Sequence, residues 1–175
     1  MPLVLNGTTG VQDNSGAFVA GTAVTASGTS VDFTGIPSWV KRITIMLSSV
    51  STSGSSNIRF QVGSTTMSTS GYSGAMTGLT AGQGTSGTNG TNLSGLDVYV
   101  FSQGASYTFQ GNVVWTLVGS NTWTVTGTVA TASSTSIGFF GGASPALGGA
   151  LDRVRITTAN GTDTFDAGTI NILYE

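Results

Sequence analysis

His and Cys are both absent from this chain of 175 residues. Ser-His-Asp and Cys-His nucleophiles are thereby excluded, together with disulfides and ordinary zinc sites. Carboxylate chemistry is what remains. Asp163 and Asp166 lie three apart and, joined by Asp152, have the composition of a glycosidase pair or a calcium site. They flank Phe165 at the entrance to an apolar strand, where Asp side chains commonly bind the amides of a turn. Turn-binding is the preferred reading. The tract Gly82-Gln83-Gly84-Thr85-Ser86-Gly87 matches the spacing G-x-G-x-x-G. A dinucleotide site needs a strand before those glycines and a helix after them, and here they lie inside a low-complexity run. Asn6, Asn89, Asn92 and Asn160 stand in N-x-S/T triplets, which chance explains in a chain so rich in these residues. The expectation is a protein that is not an enzyme, with no cofactor and no metal.

Binding chemistry has better candidates. Residues 64–92 form a Gly/Ser/Thr tract with Met67, Tyr72, Met76 and Leu79 as its sizeable apolar side chains. Small residues let a backbone approach a ligand, Tyr72 offers an aromatic face, and Asn89 and Asn92 offer hydrogen-bonding groups. That mixture suits a neutral glycan. The tract is expected to be a long loop between strands, with Tyr72 its best exposed aromatic; an inert connector is the competing reading. Trp39, Tyr99 and Trp123 are further stacking candidates, against which stands burial, with Trp39 capping the core beside Pro37 and Trp123 filling it.

Those residues must be positioned by strands. Only 7% of the chain is charged and Gly reaches 27 residues, yet eight Phe, four Tyr and three Trp supply enough buried area to order it. Five basic residues and a net charge of −2 argue against a nucleic-acid footprint. No apolar stretch has the length of a membrane helix, and the N-terminus lacks a basic region and an apolar run of secretory type. In Val31–Leu47 the chain turns at Gly35–Ser38 and then alternates Ile43, Ile45 and Leu47 on one face. A polar loop is expected at Ser48–Ser56. Ile58, Phe60 and Val62 then alternate against Arg59 and Gln61. Leu96–Phe101, Asn112–Val118, Thr122–Ala130, Ser136–Phe140, Asp152–Thr158 and Thr169–Glu175 read as further strands. Gly119-Ser120-Asn121 makes a hairpin that brings Trp115 near Trp123, and Asn160-Gly161 makes a tight turn. The core is expected to contain Ile43, Ile45, Ile58, Phe60, Val62, Ile170 and Ile172. The fold class is all-β, an antiparallel sandwich of jelly-roll type over residues 31–175, preceded by an extended arm over residues 1–30. The arm's alternative is a first strand of the sandwich itself.

Three passages, VDFTGIPSWVKRITIMLSSVSTSGSSNIRFQVG (Val31–Gly63), IGFFGG (Ile137–Gly142) and DRVRITTANGTDTFDAGTINILYE (Asp152–Glu175), together resemble a module of tailed-bacteriophage virion proteins and prophages, including tail-fibre and appendage proteins. The opening LNGTTGVQ (Leu5–Gln12) is similar to the starts of such proteins. The resemblance implies a virion structural β-domain, trimeric, and carries no catalytic motif. It leaves open a fibre or knob that meets the host surface and a capsid decoration protein that stabilises the head. Partners would be further copies of the chain, other virion proteins and a host glycan. Scarce charge also points to a homotrimer, with contacts expected from the arm or from outward faces such as that of Leu96–Phe101.

Overall fold

The computed structural model describes residues 5–6, 10–11, 18–82, 84–99, 104–132 and 136–175. Among them the regular elements are strands, and all of their pairings are antiparallel. A short ladder of β1 (Leu5–Asn6) and β2 (Gly10–Val11) stands first. There follow β3 (Val19–Ala20), β4 (Val24–Thr25), β5 (Ser30–Thr34), β6 (Arg42–Thr52), β7 (Ile58–Ser64), β8 (Thr66–Met67), β9 (Tyr72–Thr80) and β10 (Gly84–Leu93). The second half supplies β11 (Leu96–Asp97), β12 (Phe109–Gly119), β13 (Thr122–Thr131), β14 (Ser136–Ala143), β15 (Arg153–Thr158) and β16 (Phe165–Tyr174).

They build two sheets. The large one runs β10-β9-β14-β13-β12-β6-β16-β3, with β4 also on β16; the small one runs β11-β7-β15-β5, with β8 also on β7. The chain passes repeatedly from one sheet to the other, and their inner faces close over one hydrophobic core. This is an antiparallel sandwich, compatible with a jelly roll. All seven core residues expected from alternation are buried, Ile172 being the most exposed at 3%. Phe60 of β7 stacks on Phe140 of β14 with ring centroids 5.7 Å apart, joining the two sheets through their centres.

Turn chemistry follows residue type. Ser120 and Asn121 both take positive φ, 47° and 58°, as a two-residue hairpin between β12 and β13 requires. Gly161 sits at φ 70° and its N–H donates to the Thr158 carbonyl at 3.0 Å. Trp115 and Trp123 stand diagonally across the pair, since Trp115 faces Val125 and Leu117 faces Trp123. Both are buried, and the Nε1 of each has no hydrogen-bond partner among the described residues. Trp39 is half-buried against Tyr174, with centroids 5.9 Å apart.

Three expectations need correction. Residues 64–92 are sheet rather than a long loop: β9 and β10 form a hairpin, and β9 pairs β14. Its inward residues are Tyr72, Gly74, Met76, Gly78 and Thr80, so glycine interrupts the apolar period that would have betrayed a strand. A Cβ on Gly74 would fall 2.7 Å from the Gly141 carbonyl oxygen and 2.8 Å from Leu96 Cδ2, which is why a small residue stands there. Ser48–Thr52 belongs to β6, where a bulge opposite Gly168 (φ 92°) lets Val50, Ser51 and Thr52 turn inward. Finally, β11 covers only Leu96–Asp97, with Leu96 and Val98 buried; Val100 and Phe101 lie outside the described residues. Within residues 1–30, β3 and β4 lie along β16, and Ala26 enters the core.

Candidate interaction surface

Among the described residues the carboxylates are engaged in turns and ion pairs. Asp163 accepts from Asn160 Nδ2 at 2.8 Å and from the Ser56 amide at 3.0 Å, and these bonds, that of Asn160 foremost, hold its carboxyl below the usual range. Asp166 accepts from the Ser51 hydroxyl. Asp152 takes a two-pronged contact from Arg153 at 2.6 and 3.1 Å, which chiefly lowers its carboxyl, and binds the Thr65 amide as well. Among the described residues no three acidic side chains gather into a metal-holding group. Asp163 therefore does what its place in the sequence suggests: it fastens a turn.

The glycan candidates do not converge. Tyr72, expected to be exposed, is 0% exposed and packs edge-on against Trp115 at 6.3 Å. Its hydroxyl accepts from the Val62 N–H at 2.8 Å and lies 3.0 Å from the Val62 carbonyl and 3.1 Å from that of Ser68. Burial pushes its phenol up to about 12. Asn92, at φ 56° in a bulge of β10, uses Oδ1 to accept from the Gly71 amide at 3.1 Å. Asn89 pairs with Ala75 on the outward face of the hairpin and is exposed. Tyr72 and Asn89 thus point to opposite sides of the same sheet.

The two outer faces differ sharply in chemistry. On the small sheet Arg155 grips Asp32 through Nε at 2.7 Å and a second nitrogen at 2.6 Å, and Arg59 grips Asp97 at 2.7 and 2.9 Å. Gln61 Nε2 donates to the Ser94 carbonyl at 2.7 Å. A polar groove of about 310 Å³ runs beside them, past Ser30, Thr157 and Asn160. Bidentate pairing leaves these guanidinium groups committed to their own chain.

On the large sheet the registers align outward residues in cross-strand rows. One row is Asn89, Ala75, Gly141, Thr126, Val114 and Thr44, from β10 across to β6. The next is Gly87, Thr77, Phe139, Thr128, Asn112 and Met46. A third is Thr85, Leu79, Ile137, Ala130 and Gln110. On the other flank Ser73, Ala143, Thr124 and Thr116 lead to Arg42, which pairs with Glu175 at 2.8 Å. The first three rows contain no charged residue. Leu79 is 43% and Phe139 42% exposed, and a groove of about 810 Å³ lies over these strands, lined by both Phe139 and Gly141. The face is broad and uncharged, its Ala, Val, Met, Ile, Leu and Phe side chains interspersed with Thr, Asn and Gln. The signal was present in the sequence: in Ser136–Phe140 two adjacent Phe must point to opposite sides, and Phe140 takes the core. Comparison of the chain with family models, with curated proteins and with solved structures returns no match.

Proposed function

We propose that the chain is a structural subunit of a tailed-bacteriophage virion, a homotrimeric appendage of fibre or knob type that helps attach the particle to its host. The observation that supports this most is the uncharged outer face of the large sheet, because an isolated sandwich would leave it in water. The first and last of the passages that resemble phage virion proteins supply neighbouring strands, β5, β15 and β7 in the small sheet and β6 and β16 in the large one, while IGFFGG lies in β14. Paired arginines on the opposite face agree with a protein that does not bind nucleic acid. The role proposed is not enzymatic and needs no cofactor.

A capsid decoration protein is the second reading, favoured by the breadth of that same face, which suits seating on a shell. Imaging virions with this subunit labelled discriminates the two: label at the tail is the result expected, and label spread over the head supports decoration.

Contact with a neutral host glycan falls, in this reading, to the exposed side of the β9–β10 hairpin, with Asn89 retained and Tyr72 withdrawn. Asn92 takes part through the shape of the bulge. Deleting residues 77–90 would remove strands from the sheet, so a point change is the proper probe. Particles carrying Asn89→Lys are expected to assemble normally and adsorb at least about tenfold less, since a charged side chain there meets a site built for uncharged groups. Unchanged adsorption by intact particles removes the hairpin from host recognition.

A further inference from the structure

We propose that the outer face of the large sheet is where copies of this chain meet, with Phe139 of one copy seated against the Gly141 row of the next. The inference deepens the self-assembly in the function proposed above and rests on it. It begins with a glycine that the chain's own fold does not require. Gly127 could not carry a Cβ without its falling 2.4 Å from the Phe140 ring. At Gly138 the obstacle is the Tyr99 carbonyl oxygen at 2.6 Å, and at Gly142 the Ser73 carbonyl oxygen at 2.3 Å. These glycines are fixed by intramolecular packing. Gly141 is different. A Cβ there would meet only the Val125 carbonyl oxygen at 3.7 Å, an ordinary contact, and its φ is not positive. Glycine inside a strand weakens it, and where the strand has room for a side chain, a close approach from outside explains the choice.

The neighbours of Gly141 make a trough of it. Ala75 stands beside it on β9 and Thr126 on β13, both small and both exposed. Phe139, two residues before it on the same face, projects from the next row with 42% of its surface exposed. Knob and trough therefore sit side by side on one surface, which is the arrangement a second copy complements. Absence of charge matters as much, because a face that meets its own kind tolerates no unpaired like charges. From β9 across to β6, with the β10 edge that carries Asn89 outside the contact, strands ~4.8 Å apart and same-face residues ~6.8 Å apart give the rows roughly 500 Å² in outline before side-chain relief is counted. That is on the scale of the ~800 Å² per partner that a specific interface buries.

Sedimentation of the full chain over a concentration series tests this with three variants. Phe139→Ser removes the knob, Gly141→Val fills the trough, and Thr128→Glu puts a charge between them. Each is expected to raise the concentration of half-dissociation by about 30-fold or more, the effect of losing an interface hot spot. Near-UV circular dichroism from the buried Trp115 and Trp123 should stay native in all three, and Gly141→Val provides the firmest control because the fold accepts its Cβ. Natively folded variants that assemble like the parent overturn the contact and leave the trimeric subunit reading standing. A parent chain that is monomeric at micromolar concentration overturns both. Dissociation accompanied by lost near-UV signal in every variant, Gly141→Val included, counts against the inference, since the face would then be needed for folding rather than for assembly.

Discussion

Phe60→Ala is expected to destabilise the fold by roughly 3–5 kcal/mol, measured as a fall in the urea midpoint at unchanged slope. The side chain is 0% exposed at the middle of β7. Leu96 and Ile156, both fully buried, stand opposite it on β11 and β15. Across the sandwich its ring lies on that of Phe140 at an interplanar angle of 16°. Phe140 in turn rests where Gly127 leaves room, and a Cβ on that glycine would strike the ring at 2.4 Å. Truncation opens a cavity that flanking strands, tied into two ladders, cannot collapse to fill. Leu79→Ala offers the contrast. Leu79 faces outward and is 43% exposed, so the change should cost under about 1 kcal/mol in the dissociated chain. A Phe60→Ala cost below about 1 kcal/mol would mean that β7 presents its other face to the core.

The contrast between these two residues shows what could be read in advance. Alternation of β-branched and aromatic residues reveals a strand only where the inward positions are large. Ile58, Phe60 and Val62 do so, and so do Ile170 and Ile172; their burial was legible without coordinates. In β9 the inward series runs Tyr72, Gly74, Met76, and a hydropathy pattern cannot show a strand whose inward gaps are filled from the other sheet by Leu96. The same substitution of glycine for bulk in β10 made a hairpin look like a low-complexity loop. Sites suffer more from this than folds do. Tyr72 looked exposed because its surroundings looked unstructured, and placing it on a strand sent it inward. The exposed aromatic of the large sheet is Phe139, in a short run where two adjacent aromatics had to part to opposite faces. One register determines which of them is buried, and that register is fixed by pairing with β13, the preceding strand, and with β9, distant in the chain.

The burial of Tyr72 carries a second large expectation. Along its edge opposite β15, β7 is paired by β11 at Arg59 and Phe60 and by β8 at Gly63 and Ser64, leaving a gap at Gln61–Val62. The Tyr72 hydroxyl, reaching over from the large sheet, fills the gap at Val62 by accepting from its N–H at 2.8 Å. Tyr72→Phe keeps the ring against Trp115 but orphans that buried N–H, so it should cost about 1–3 kcal/mol at pH 8. The pH dependence has a definite sign. The phenol, raised to about 12 in the fold from an ordinary value of 10.0, favours its neutral form there. The resulting stabilisation is fully present below pH 10 and is lost as pH rises toward 12, where the unfolded chain releases a proton that the folded chain retains. That loss amounts to roughly 2–3 kcal/mol and is absent when Phe stands at this position. Chemical denaturation of both proteins from pH 8 to 12 should therefore show the parent's advantage shrinking toward the alkaline end and then vanishing. Groups common to both chains cancel in the difference. Equal stability at pH 8, or a gap that stays constant to pH 12, would put the hydroxyl in water and restore Tyr72 as a residue available to a ligand.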